Sequence, residues 1–214
     1  MKNKFFEELA EKIQPYFEEG GGGHGFDHTK RVYNLAIKIS KGEEADLDVV
    51  KAAALLHDIA RLSEEKKEIS CHAEEGSARA ARILEEMGFP KDKIPKVSYA
   101  IKTHRFSKGI IPETTEAAII QDADRLEALG AIAVARVFSY GGKNDRPFHL
   151  PDILPKENYA GLEATSAINH FYEKILKIKP ESFKTKKARK MAEARYKFVE
   201  KFVDRFIKEW GGKI

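Results

Sequence analysis

The sequence predicts an all-α fold, and three observations carry that expectation. Apolar residues recur at steps of three and four in one segment after another, and no stretch alternates apolar with polar as a half-buried strand would. With 214 residues, 42% hydrophobic and 34% charged, the chain is long enough to bury one core beneath peripheral helices. No internal repeat breaks that pattern. The expectation is therefore a helical bundle in one domain spanning 1–214. Its core covers about 24–130, an irregular loop about 139–160, and C-terminal helices about 161–210 join the additional N-terminal helix around it.

The first element, Lys4 to Glu18, carries Phe5, Phe6, Leu9, Ile13 and Phe17 on one face and stops at Gly20 to Gly23. Those glycines lack the GxxxxGK[ST] pattern of a phosphate loop. In the second helix His28 leads the stripe Val32, Leu35 and Ile39 by steps of four, three and four, which turns its imidazole inward. Asp27 suits an N-cap or first turn, and His24 reads as a loop residue, a partner to a ligand or a phosphate contact. Asp46 can cap a third helix carrying Leu47, Val50, Ala53, Ala54, His57 and Arg61 along one side. A linker from Ser63 to Ser70 leads to a helix starting at or near His72, whose small residues allow close helix contact.

Gly88 ends that helix, and Pro90 helps begin another in which Val97, Ala100 and Ile101 lead to an inward His104. Ala117 to Gly130 is strongly apolar and is expected to run on toward Phe138. Asp122 shares a face there with Ala118 and Ile119, while Asp124 is displaced by about 200° at about 100° per residue. The Gly-, Pro-, Asn- and Asp-rich loop that follows is long enough for a lid or a site edge. Gly161 to Ile178 and Thr185 to Trp210 read as two more helices. The stripe Met191, Ala194, Phe198, Phe202, Val203 and Phe206 is assigned to core or subunit packing, which leaves a homo-oligomer possible.

Composition narrows the setting. A single cysteine, Cys71, rules out an internal disulfide, and the lack of a signal-like N-terminus or a membrane-length apolar run points to the cytoplasm and away from membranes. The formal charge of +4 does not call for a nucleic-acid partner, and the basic run from Lys184 to Lys190 reads as a solvated helix face.

The chemistry lies in the polar residues that apolar spacing turns inward. A lone His57-Asp58 pair is explained well enough by a hydrogen-bonded core histidine beside a solvated carboxylate. His28, His57, Asp58, His72, His104 and Asp122 together are four imidazoles and two carboxylates on five segments, costly to bury unless something binds them. Mixed nitrogen and oxygen donors suit divalent Mn, Fe, Co, Ni or Zn, and the missing thiolates argue against a structural zinc site.

These residues resemble the HD-domain superfamily of metal-dependent phosphohydrolases, whose ordered pattern of His, His-Asp and Asp matches His28, His57, Asp58 and Asp122. His72 in CHAEEGSARAARIL and His104 in IKTHRFS resemble the two extra ligands of branches that bind a metal pair. The series RVYNLA, LLHDIAR, HRFS, QDADRLEALGAI and GG..RPF is similar to a group of small stand-alone bacterial and archaeal HD hydrolases, over about Gly23 to Phe148. The resemblance implies a five-helix HD core. Asp58 would bridge two ions, one held by His28, His57 and Asp122, the other by His72 and His104. A metal-activated hydroxide would attack a phosphomonoester or phosphodiester of a nucleotide or related metabolite. A mononuclear arrangement would instead free His72 or His104 for acid chemistry or phosphate binding. Arg61 would meet the phosphate oxygens, ahead of Arg31, Lys102, Arg105 and Arg125, and Asp27 or His24 could protonate the leaving group. Two alternatives stay open, a di-iron oxygenase on the same ligands and a non-catalytic module that binds metal or nucleotide.

Overall fold

The structure is a computed structural model that describes residues 1–17, 25–157 and 164–214. The glycine run at 20–23, His24 and the expected start of a helix at 161 lie outside the described residues. Among the described residues the secondary structure is helical, with no strand. They divide into two compact units, one of 1–17 with 25–125 and the other of 126–157 with 164–214.

In the first unit, α1 (Asn3–Ile13) buries Phe6, Leu9 and Ile13. The second helix, α2 (Phe26–Ser40), buries His28, Val32, Leu35, Ala36 and Ile39, the stripe that spacing picked out. At the centre lies α3 (Leu47–Leu56), buried on every side from Ala52 to Leu56, as a helix apolar around its whole circumference must be. Asp46 caps it, accepting from the backbone N–H groups of Asp48 at 3.0 Å and Val49 at 3.4 Å. The helix ends at Leu56, so His57 to Ala60 form a turn and Arg61 starts α4 (Arg61–Glu65), a short helix where a linker was expected.

Next come α5 (His72–Glu86) and α6 (Ile94–Thr103), which pack on each other, with α6 also against α3. Gly76 sits in this contact, where a Cβ would lie 3.7 Å from the His57 carbonyl oxygen and 3.7 Å from Ile101, an ordinary packing distance. The proline in the first turn of α6 is Pro95, five residues later than the Pro90 expected to start it. The unit closes with α7 (Thr115–Leu126).

The second unit begins where α7 stops. Helix α7 does not run on to Phe138. Gly130 adopts φ 84°, a conformation open to glycine, and a separate α8 (Ala131–Lys143) starts there. Residues 144–157 are irregular, and the backbone N–H groups of Ala167 and Ile168 donate to the carbonyls of Pro147 and Phe148. Ser166 caps α9 (Ala167–Glu173), and Thr185 caps α10 (Lys186–Trp210), whose start and end match expectation. Phe138, Phe171, Phe202 and Phe206 meet ring to ring at centroid distances of 5.9 to 6.0 Å, with Phe202 and Phe206 half-buried at the edge of this unit's core, whose α10 face is Ala188, Ala192, Tyr196, Val199 and Val203. No helix of the described residues is long and apolar enough to cross a membrane.

Candidate metal centre

Helix ends of the first unit bring the histidines together. His28 lies in the first turn of α2, His72 is the first residue of α5, and His57 and His104 follow the last residues of α3 and α6. The carbonyls in the last turn of a helix lack intrahelical partners. His57 and His104 fill that need by donating Nδ1–H to Ala54 O at 2.8 Å and Ile101 O at 2.6 Å. A carbonyl only accepts, so these bonds place the proton on Nδ1 and leave a lone pair on each Nε2. His72 donates its own Nδ1–H to the carboxylate of Glu64, which also accepts from the His72 backbone N–H at 2.7 Å.

The Nε2 atoms converge on Asp58. Its Oδ2 lies 3.8 Å from His28 Nε2 and 3.7 Å from His57 Nε2, and its Oδ1 lies 3.3 Å from His72 Nε2 and 3.6 Å from His104 Nε2. Within the pairs, His28 and His57 stand 3.4 Å apart at Nε2, and His72 and His104 stand 3.3 Å apart. The second of these contacts joins two atoms that both carry lone pairs in the neutral rings, so it repels unless a proton or a metal ion sits between them. Two sets of donors result, His28, His57 and Asp58, and Asp58, His72 and His104, each with its ligand atoms within 4.8 Å of one another and all buried. Neutral imidazoles with a shared carboxylate fit a divalent transition metal.

Electrostatics point the same way. Burial pushes the His57 imidazole down to about 4, and His104 and His28 add to that against the pull of Asp58. Burial lowers His72 as well. Burial also opposes a charge on His104, but the carboxylates of Asp58 and Asp124 outweigh it and raise this imidazole, which can thus hold a proton where an ion would otherwise sit. His57 and His72, the neutral members, are ready ligands near neutral pH.

The carboxylate that α7 brings to His28 is that of Asp124, whose Oδ1 lies 3.4 Å from His28 Nε2. Asp122 is fully buried on the same helix, about 200° around it from Asp124. The sequence pattern points to Asp122 as the ligand from α7, and the partly exposed Asp124 is a second carboxylate of that helix, beside His28. Burial acts against ionisation of Asp124, and the neighbouring His28, His57 and His104 more than reverse this, holding its carboxyl well below the usual range. Glu64 was the other residue overlooked, because an acidic pair in a polar connection looks solvated. The only signal available was its place eight residues before His72.

The remaining candidates have identified neighbours. Asp27 is largely exposed and bonded by Arg31 at 2.6 Å, which keeps its carboxyl ionised and below its ordinary value, the reverse of what a proton donor needs. Arg61 donates to Glu65 at 3.1 Å. Burial works against its charge, but Asp58, Glu65 and Glu64 reverse this and hold it protonated. Arg105 donates to Glu64 at 2.8 Å, the buried Arg125 guanidinium lies 3.5 Å from the Phe106 ring centroid, and Lys102 is exposed on α6.

Comparison with known proteins bears on this arrangement. A family model described as HD domain matches residues 25–129. The crystal structure of an HD-superfamily hydrolase from Bacillus thuringiensis is 33% identical and covers 99% of each chain, with a TM-score of 0.78. The crystal structure of a predicted HD superfamily hydrolase from an uncultured Thermotogales bacterium is 36% identical over 95% of this chain and 92% of its own, with a TM-score of 0.69. Bacillus subtilis YpgQ in complex with ADP is 27% identical over 96% and 95%, with a TM-score of 0.70.

Proposed function

This chain belongs to the HD superfamily of hydrolases, and on that premise we propose that it is a metal-dependent phosphohydrolase with two ions, acting on a phosphate ester of a nucleotide or related metabolite. One observation carries the two-ion reading. A single buried carboxylate, Asp58, turns one oxygen to His28 and His57 and the other to His72 and His104. His28, His57 and Asp124 would hold one ion, His72 and His104 the other, with Asp58 common to both. When bound, the ions supply Lewis acidity and a water ionised near neutral pH.

The chain itself supplies position and charge. The Nδ1–H bonds of His57, His72 and His104 fix the rings, so no reorientation is needed when their Nε2 atoms bind. Arg61, at the start of α4 three residues after Asp58, presents a cation at the edge of the cluster, where it would bind phosphate oxygens and favour the charge that develops on them. The ADP held by YpgQ supports a nucleotide phosphate as the ligand class.

The test is a panel of nucleoside mono-, di- and triphosphates, sugar phosphates and cyclic phosphodiesters, assayed with protein loaded with Mn, Co, Ni, Fe or Zn. Release of phosphate or pyrophosphate that is lost in His57→Ala supports the proposal. No cleavage by protein of verified metal content contradicts it, and oxygen uptake by the iron form alone would favour the oxygenase.

A further inference from the structure

Glu64 is outside both sets of ligands, yet one of the central imidazoles depends on it. Its Oε2 accepts from the backbone N–H of His72 at 2.7 Å and from His72 Nδ1–H, while its Oε1 accepts from Arg105 Nη1 at 2.8 Å. Both oxygens are therefore committed away from the metal. His57 and His104 direct their Nδ1–H to neutral backbone carbonyls, whereas His72 directs its own to an ionised carboxylate. A charged acceptor on the far nitrogen makes the metal-facing nitrogen more basic than a carbonyl does.

We propose that Glu64 is a positioning residue: it holds His72 as the Nδ1–H tautomer and strengthens the His72–His104 ion site relative to the His28–His57 site. The role extends the two-ion reading above and rests on it. Helix α4 delivers it, since the turn from His57 to Ala60 places Arg61 to Glu65 against α5. Arg105 completes the arrangement. Its guanidinium, bonded also to Ser107 at 3.0 Å, keeps the Glu64 carboxylate in place one residue beyond His104. One carboxylate thus connects the elements that carry both histidines of the second pair.

The same carboxylate also accepts the first N–H of α5, so a purely structural role must be told apart from a positioning one. Glu64→Gln keeps an oxygen acceptor for that N–H but removes the charge and the acceptor facing Arg105, whereas Glu64→Ala removes every acceptor. Full-length protein stripped of metal would be titrated with Mn²⁺ by calorimetry, and the histidine ring nitrogens followed by ¹⁵N NMR without metal. Wild type is expected to bind two ions and to show His72 protonated at Nδ1. Both variants should weaken one site by about 10- to 100-fold, more in Ala than in Gln, and leave the other unchanged. The weakened site should be the one that His104→Ala removes, and His72 should become a mixture of tautomers in Glu64→Ala. Unchanged affinities, or equal weakening of both sites, would overturn the proposal. If wild type binds a single ion, the two-ion reading fails by itself. The ring-nitrogen spectrum then still decides on Glu64, since an unaltered His72 tautomer in Glu64→Ala refutes its role. If Glu64→Ala does not fold, Glu64→Gln carries both measurements.

Discussion

Acidifying the metal-free protein should destabilise it, and His57 sets the scale. Its fully buried imidazole is lowered from 6.5 to about 4, chiefly by burial. In the unfolded chain the same ring takes up a proton near pH 6.5, so between there and about pH 4 the unfolded state binds more protons than the folded one. Stability therefore falls as the pH drops through this window. A shift of about 2.5 pH units at about 1.4 kcal/mol each amounts to about 3.5 kcal/mol, of which about 3 kcal/mol is lost by about pH 4 and the rest just below it. That is a large part of the ~5–15 kcal/mol that typically stabilises a domain. His104 acts with the opposite sign: its raised imidazole adds stability at low pH that is lost as the pH rises through its folded value. His170, lowered to about 4 by burial, Lys174 and Arg146, adds to the acid loss in the second unit. His57→Gln isolates the one contribution. Urea unfolding followed by circular dichroism, in chelator and at steps across this window, should show wild type losing about 3 kcal/mol more than the variant. Parallel profiles would refute the reasoning.

Further outcomes follow from the same geometry. Asp124→Asn should weaken metal binding at the His28–His57 site, while Asp122→Asn should keep the metal content of wild type; elemental analysis of the two proteins decides which carboxylate of α7 is the ligand. Arg61→Ala should lower kcat by about 10²- to 10³-fold with metal content intact, since its task is the charge developed on phosphate; a change confined to KM would assign it to ground-state binding. Asp27→Asn should change kcat by less than about tenfold because Arg31 keeps the carboxylate ionised, and a loss of the size seen for Arg61 would restore it as the proton donor. Metal at about 100 times its Kd should stabilise the stripped protein by about 2.7 kcal/mol per site, read as a rise in Tm that chelator reverses.

The helices that position the centre were largely legible because their faces are set by burial. Val32, Leu35 and Ile39 place His28, and the apolar run from Ala52 to Leu56 places His57, whatever the neighbouring loops do. Their ends were harder to read. The end of α3 depends on the His57 side chain, which bonds the Ala54 carbonyl just where the helix gives way to a turn, and the break before α8 depends on a glycine at positive φ. Asp124 and Glu64 escaped for a related reason: each acts from a polar surface of its element, and apolar periodicity reports only the faces that pack. Asp122 illustrates the converse, a carboxylate whose apolar spacing correctly indicated burial.

A two-ion centre in this chain requires Asp58 to serve both sites. Elemental analysis with quantitative metal titration of wild type and Asp58→Asn, alongside circular dichroism, tests this directly. The expected result is two ions per chain in wild type and loss of binding at both sites in the variant, with helix content retained. Two ions per chain at wild-type affinity in Asp58→Asn would contradict it.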